Sequence, residues 1–498
     1  MRIGIVGAGV SGLAAARVLS ACGHAVTVWE AVDDIGGVWS ASRRYPGIGL
    51  QNDKVTYGFS DFPMPADAAE FPDGATTRRW LTAYADRFAL TERIRLGTRV
   101  VDADQAGDGT WSVTTEHEGV VDVEAVDWLV MANGIFSDSH VPDWAGRSEF
   151  EAAGGRVLVP SEVGPGDSLR ARAVLVVGWG KSALDLATAA SRIARSTHVA
   201  ARTVRWKVPK RMGRITFGHI LLTRLGEHLL WGSYRSTAGR LLRVATRPVR
   251  GAAVRRLGRA FEQHVPLVRL GLQPRTGTTD IDSMVTDGFF DAVDAGAITL
   301  HGHVGIAALA VADGRPAVRL TDGAVVPADV VVSATGYDQS PGPLSAQVQE
   351  RLLDPDGALE LHRAVLPQHV DRLAYVGWMH SFRSPIGAEL QAQWLAALIA
   401  GLVERPAAPW RARDVFTFWL TRERAARHGA VQIPRNASIL DLDELIEDLG
   451  AAVPRAVRLR ELTRPLDPAD YARLLPALVQ RIAARTPADS GLPEAARR

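Results

Sequence analysis

A sharp glycine turn between an apolar strand and a small-residue helix occurs twice in this chain, and that doubling constrains the fold most. The first copy opens with the apolar run Ile3–Val6 and turns through Gly7, Gly9 and Gly12 at G-x-G-x-x-G spacing, with Ser11 inside the turn. A helical pattern and a second strand ending at Glu30 follow. In such a turn the first glycine reverses the strand, and the second lets a pyrophosphate approach the backbone. The third lets helix and strand pack closely, with the helix N-terminus facing the anion. Glu30 lies 23 residues after Gly7, where a carboxylate accepts hydrogen bonds from ribose hydroxyls. Strand, turn, helix and acid together predict a dinucleotide site.

The second copy spans 174–205, with Gly178, Gly180 and Ala183 at the same spacing after another apolar strand. Here Ala201 occupies the position 23 residues on, followed by Arg202 and Arg205. An arginine without the ribose carboxylate suits the 2′-phosphate of NADP. Arg202 also reads as a solvated strand end. Lys181, next to Ser182 in the turn, reads either as phosphate charge or as a surface lysine.

The N-terminal motif, followed by Gly36-Gly37-Val38-Trp39, resembles the FAD site of two-dinucleotide-binding flavoproteins, and further segments narrow the resemblance to the flavin-containing monooxygenases. Tyr45 to Lys54, continuing through Phe59-Ser-Asp-Phe-Pro63, resembles that family's flavin-side loop. Ala334-Thr335-Gly336-Tyr337 is similar to its late strand end, and Glu389-Leu390-Gln391 to the E-x-Q of its closing helix. These segments cover roughly residues 1–400 and make Gly7, Gly9, Ser11, Gly12, Glu30, Gly37, Val38, Trp39, Thr335, Gly336 and Gln391 candidates for FAD. Gly178, Gly180, Lys181, Ser182, Arg202 and Arg205 become candidates for NADPH. The fingerprint before the second turn departs from the family. If Gly155 is its glycine, Val159 stands in the histidine position and Val163 in the aromatic one, with an insertion after Phe150. Ala132-Asn133-Gly134 replaces the usual A-T-G.

The implied fold is α/β: two Rossmann-like dinucleotide-binding domains, the NADP domain inserted in the FAD domain, plus a helical insertion and a helical C-terminal tail. The expected boundaries are 1–163 for the first part of the FAD domain and 164–325 for the NADP domain. The FAD domain resumes over 326–400, and 401–498 forms the helical extension, its last dozen residues disordered. Residues 76–96 predict a helix with Trp80, Leu81, Tyr84 and Phe88 on one face, and 110–131 a β-meander.

With 498 residues and 47% apolar composition, the chain can bury several cores. Its single cysteine, Cys22, excludes both a disulfide framework and a C-x-x-C redox pair. The apolar N-terminus is accounted for by the nucleotide turn rather than by a signal peptide, and a cytoplasmic location is expected. No run of 18 apolar residues occurs. Residues 205–259 carry fourteen Lys or Arg and one acid, Glu227, against 43 basic and 54 acidic residues elsewhere. The basic helical insertion of about 205–265 reads as a solvated face, as a lid attracting an anion, or as a peripheral membrane contact. Nucleic acid is not expected, because no reading motif is present. No His/Asp/Glu cluster has metal-ligand spacing, so no metal is expected.

The resemblance implies an FAD-containing, NADPH-dependent monooxygenase that uses O2 to oxygenate a small organic substrate at N or S through a flavin C4a-hydroperoxide. Baeyer–Villiger oxidation of a ketone and an uncoupled NADPH oxidase or redox-partner flavoprotein are the alternatives. Nucleophilic amines and sulfides need no strong base but a dry site. A non-titrating amide donor near the reacting oxygen suits that chemistry. Many family members place Asn there; in this chain the position three before Lys54 is Gln51, with Asn52 next. Gln51 also reads as a loop-capping amide.

Overall fold

The computed structural model describes all residues except 231–240, 242–243, 276–280, 407–409, 411–413, 429–436 and 486–498. The disorder expected of the last dozen residues lies outside that set. In chain order the site-building elements begin with strand β1 (Arg2–Val6), helix α1 (Val10–Ala21), β2 (Ala25–Trp29), α2 (Gly74–Arg87), β3 (Ile94–Arg95), β4 (Trp128–Met131) and β5 (Asp138–Ser139). Next come β6 (Arg156–Leu158), β7 (Ala173–Val177), α3 (Lys181–Ala190), β8 (Ser196–Ala201), α4 (Phe217–Leu221), α5 (Arg224–Leu230) and α6 (Arg247–His264). Then follow β9 (Ile281–Met284), β10 (Thr299–Gly302), β11 (Val330–Ser333) and β12 (Tyr337–Asp338). The last group is β13 (Ala358–His362), β14 (Leu373–Tyr375), α7 (Ser384–Ile399), β15 (Val415–Trp419), α8 (Arg422–Arg427) and α9 (Ile439–Asp448).

Two five-stranded parallel sheets dominate, in the orders β14-β4-β1-β2-β3 and β10-β8-β7-β11-β6. Their central strands are buried on both faces, so they read as continuous apolar runs rather than alternations: all of β7 and all of β11 is buried. The expected α2 face is present, with Trp80, Leu81 and Tyr84 buried, but the helix ends at Arg87 rather than at 96: Phe88 is its C-cap and Ile94–Arg95 is strand. The meander is Arg99–Gln105, Trp111–His117 and Val120–Val126, after which β4 joins the first sheet.

The domain boundaries differ from those expected. Strands β6 and β11 fall in segments assigned by sequence to the FAD domain, yet both pair in the second sheet, β11 directly beside β7. The chain therefore crosses between the two sheets at β5 and β12. Those two strands pair antiparallel with each other, Tyr337 opposite Ser139 and Asp338 opposite Asp138.

The C-terminal tail also departs from an all-helical reading. β15 alternates buried Phe416 and Phe418 with half-buried neighbours and pairs antiparallel with β13, from Ala358 opposite Trp419 to His362 opposite Val415. The basic insertion begins in strand, Trp206–Val208 pairing with β9, before its helices. Arg255, Arg256 and Arg259 on α6 are exposed, the solvated reading. Arg224 is not: it pairs with Asp443 at 2.6 Å and Glu461 at 2.9 Å in the C-terminal segment.

The one acid of the basic stretch explains its own presence. Glu227 is buried and pairs with buried Arg383 at 2.7 Å, while its other oxygen accepts from the Ile439 amide at 2.8 Å. Arg383 also donates to the Leu222 carbonyl at 2.7 Å. One ion pair thus joins insertion, α7 and C-terminal segment. Removing one member of a buried pair strands the other charge and costs about 3–5 kcal/mol. Glu227→Met should lower the unfolding midpoint in urea sharply, and adding Arg383→Met should recover much of the loss. A double variant no more stable than Glu227→Met would show that the stranded charge is not the cause.

Candidate active site

The first glycine turn is built by backbone crowding. Gly7 has φ +105°, and a Cβ there would meet the Ala132 carbonyl oxygen at 2.7 Å. A Cβ on Gly12 would overlap the Gly7 carbonyl oxygen itself. Gly9 is different, since a Cβ there would meet only Gly37 Cα, at 3.5 Å. Gly37, at φ +60°, faces it across the mouth of α1, where a Cβ would meet Gly9 Cα at 3.1 Å. The loop carrying Gly36 and Gly37 is held there by the Gly36 amide donating to the Ala8 carbonyl at 3.0 Å. Nothing in the protein demands glycine at position 9, so the open cradle it shares with Gly37 fits a ligand diphosphate.

Around that cradle, Glu30 is buried at the end of β2, accepting from the Ala8 amide at 2.8 Å and the Val32 amide at 3.1 Å. Val38 is exposed beside the cradle. Trp39 turns inward, donating to the Tyr57 hydroxyl at 3.2 Å, and is a packing residue. Ser11 faces Gly377, where a Cβ would overlap its hydroxyl. Gly377 went unread in the sequence, which carries no motif around it. Gln391 departs from its expected role as a direct ligand to FAD: it is fully buried and its amide is used within the protein. It accepts from the Gly377 amide and donates to the Ala364 carbonyl, both at 2.9 Å, and so positions the residue that faces Ser11. Glu389, two residues earlier, accepts from the Ser60 amide at 2.8 Å and from its hydroxyl; burial pushes its carboxyl up to about 7.

The loop from Tyr45 to Asn52 wedges between the two sheets. The Tyr45 hydroxyl meets the Ser182 hydroxyl at 2.9 Å. Gly47, at φ +86°, lies so close to α3 that a Cβ would meet the Asp185 carbonyl oxygen at 3.1 Å. Gln51 accepts from the Met284 amide of β9 at 2.9 Å through Oε1, which leaves its Nε2 donor without a partner among the described residues. Asn52 does not share the catalytic expectation. It is buried and donates to the Phe382 carbonyl at 2.6 Å and the Thr56 hydroxyl at 3.3 Å, so its amide holds loops together.

The second turn repeats the first. Gly178 has φ +137°, and a Cβ would overlap the Ala334 carbonyl oxygen, the counterpart of Ala132. The Gly178 amide donates to Ala200 as the Gly7 amide donates to Trp29, at 2.9 and 2.8 Å. Ala201 is therefore the spatial equivalent of Glu30, with exposed Arg202 beyond it. A Cβ on Gly180 would meet nothing within 4 Å, leaving the N-terminus of α3 open to a diphosphate. The Arg205 carbonyl accepts from Trp179 at 2.9 Å, which fixes the backbone there.

Three expected residues stand elsewhere. Lys181 forms an ion pair with buried Asp185 one turn along its own helix, and burial lowers its pKa, so it is committed inside the protein. The four-residue spacing signalled that pair. Thr335 and Gly336 follow β11 and so lie at the carboxyl end of the second sheet rather than of the first; Thr335 donates to the His140 carbonyl. Arg422, missed entirely, donates to the Thr335 carbonyl from the C-terminal segment. Burial pushes the Cys22 thiol up to about 12, an inert thiol. Among the described residues there is no group of three or more His, Cys, Asp or Glu arranged to hold a metal, and no helix is long and apolar enough to cross a membrane.

The profile of the flavin-binding monooxygenase-like proteins matches residues 1–460. The chain belongs to that family. It is 27% identical over 443 residues to a probable flavin-containing monooxygenase 1 of Arabidopsis thaliana, covering 80% of this chain and 82% of that one. Its fold is that of S-allyl-L-cysteine S-oxygenase from Allium sativum, with TM-score 0.59, 17% identity, and 97% and 99% of the two chains covered. A closed cyclohexanone monooxygenase shares it, with TM-score 0.64, 17% identity, and 96% and 97% covered. The chain is an FAD-dependent monooxygenase with NADP as its second cofactor.

The two glycines of the first turn should separate ligand binding from folding. Gly9→Val should give folded protein with little FAD, because its side chain fills the cradle while its Cβ meets the chain only at ordinary contact distance, on Gly37. Gly12→Val should instead lose soluble protein. Flavin content per chain and circular dichroism of the two purified variants check this; normal flavin in Gly9→Val would place the diphosphate elsewhere.

Proposed function

We propose that this chain is an NADPH-dependent monooxygenase that oxygenates a small organic nucleophile at nitrogen or sulfur. When bound, FAD and NADPH supply the electrons and activate oxygen, and the protein supplies placement and dryness. Gly9, Gly37 and Glu30 would hold the FAD diphosphate and adenosine ribose. Gly180 and the N-terminus of α3 would hold the NADPH diphosphate, with Arg202 at the 2′-phosphate. The Tyr45–Ser182 contact and the Gly47–Asp185 approach close the seam between the two sites against water.

The observation that carries the reading is Gln51. Its carbonyl is fixed by the Met284 amide, so its amide hydrogens point away with no protein acceptor among the described residues. A fixed, uncharged donor in the seam between two nucleotide sites fits a reaction in which the substrate's own lone pair attacks oxygen, since no residue must first take a proton. Oxygen insertion into a ketone instead needs an anionic attacking oxygen, which a cation favours more than an amide does.

Gln51→Leu keeps comparable bulk and removes the donor. Losing one neutral hydrogen bond of about 1–1.5 kcal/mol should raise hydrogen peroxide per NADPH roughly 5- to 10-fold, with flavin content unchanged. The measurement is NADPH, product and peroxide accounting with an organic sulfide, a tertiary amine and a cyclic ketone. Sulfoxide or N-oxide from wild type supports the proposal. Lactone as the sole product, or peroxide equal to NADPH with every substrate, contradicts it.

A further inference from the structure

We propose that Arg422, delivered by the C-terminal segment, is a further cation of the adenosine 2′-phosphate site and a determinant of the preference for NADPH over NADH. This rests on reading Arg202 as the first cation of that site.

The register of the second sheet brings the two residues to one edge. Val177 of β7 pairs with Ala200 of β8 on one side and with Ser333 of β11 on the other. Two residues beyond those partners lie Arg202 and Thr335, with the Gly178 turn between them. Two strand spacings separate them, about 10 Å, within the combined reach of two arginine side chains. Arg422 Nη2 donates to the Thr335 carbonyl, and its guanidinium lies over Gly336, at φ +97°, where even a Cβ would overlap it. Glycine here admits an arginine from another part of the chain.

The C-terminal segment is built to hold Arg422 there. β15 pairs with β13 immediately before it, and the Leu420 carbonyl accepts from the Gln339 amide at 3.0 Å, docking the segment on the crossover strand. The Thr421 hydroxyl then caps the amide of Arg424. So Arg422 leaves the segment from a fixed backbone.

Its electrostatic setting suits a phosphate. Neither Arg202 nor Arg422 has a carboxylate within ion-pair distance among the described residues. Burial lowers the Arg422 pKa; Asp338 and Glu423 oppose this, while the charges of Arg202 and Arg205 lower it further. The Arg202 and Arg422 guanidiniums, neither in an ion pair among the described residues, are relieved by a doubly charged phosphate, which their planar forks match. Lys181, the lysine of the turn, is committed to Asp185 and leaves that task to the arginines.

The test uses the full-length, FAD-loaded enzyme and compares inhibition by 2′,5′-ADP with inhibition by 5′-AMP, which lacks the 2′-phosphate. Arg422→Gln keeps an amide donor for the Thr335 carbonyl and removes the charge; Arg422→Lys restores the charge. Loss of a charge-assisted contact should weaken 2′,5′-ADP about 10- to 100-fold in Arg422→Gln. 5′-AMP and kcat/KM for NADH should stay unchanged, and Arg422→Lys should recover most of the loss. Equal weakening of both inhibitors, or of neither, would overturn the proposal, because a merely structural clamp does not distinguish them. Arg202→Ala separates the two readings. If it leaves 2′,5′-ADP unaffected while Arg422→Gln does not, the Arg202 reading fails and Arg422 stands.

Discussion

The contact on which the molecule depends is a Cα without a side chain, Gly12, pressed against the carbonyl of Gly7. It lets α1 start directly at the end of β1, so the helix N-terminus opens on the cradle between Gly9 and Gly37. In the second turn Ala183 stands in the Gly12 position, and the crowding that recurs is that of Gly7 on the Ala132 carbonyl, repeated by Gly178 on the Ala334 carbonyl. In both places the protein itself demands glycine where strand, helix and crossing loop meet, and leaves Gly9 or Gly180 with room. The distinction separates the residues that make the turn from those that face the ligand, though all share one motif.

Two such turns in one chain give useful chemistry only if they are held in a fixed relation. The loop from Tyr45 to Asn52 supplies much of that relation, with its tyrosine on Ser182, its Gly47 on α3 and its Gln51 on β9. The paired crossover strands β5 and β12 supply the rest. The C-terminal segment then binds across the seam, pairing with Arg224 of the insertion through Asp443 and Glu461, and carrying Arg422 to the second sheet. A region that reads as an appendage in sequence touches both the insertion and the nucleotide edge.

What was legible in the sequence was local. The glycine turns, Glu30, the replacement of that acid by Ala201, and the α2 face all depend on spacing within one or two elements. What was not legible depends on pairing across long separations. Arg156–Leu158 and Val330–Ser333 are short apolar strands that suit either sheet, and only their partners decide, so the domain boundaries shifted. Val415–Trp419 alternates over five residues, too short to outweigh its helical surroundings. Asn52 and Gln391 sit in the expected segments, but their amides are consumed by carbonyls and amides far along the chain. Arg422 has no signal, because its role comes from β15 docking beside β13.

The central claim is that the two turns form one electron-transfer unit, NADPH held by the second and FAD by the first. Anaerobic mixing of the purified enzyme with NADPH, followed by the loss of flavin absorbance, tests it most directly. NADPH deuterated separately on each face of the nicotinamide should bleach the flavin in a saturable phase, with a primary isotope effect from one face alone. Flavin that stays oxidised under saturating NADPH would contradict the account.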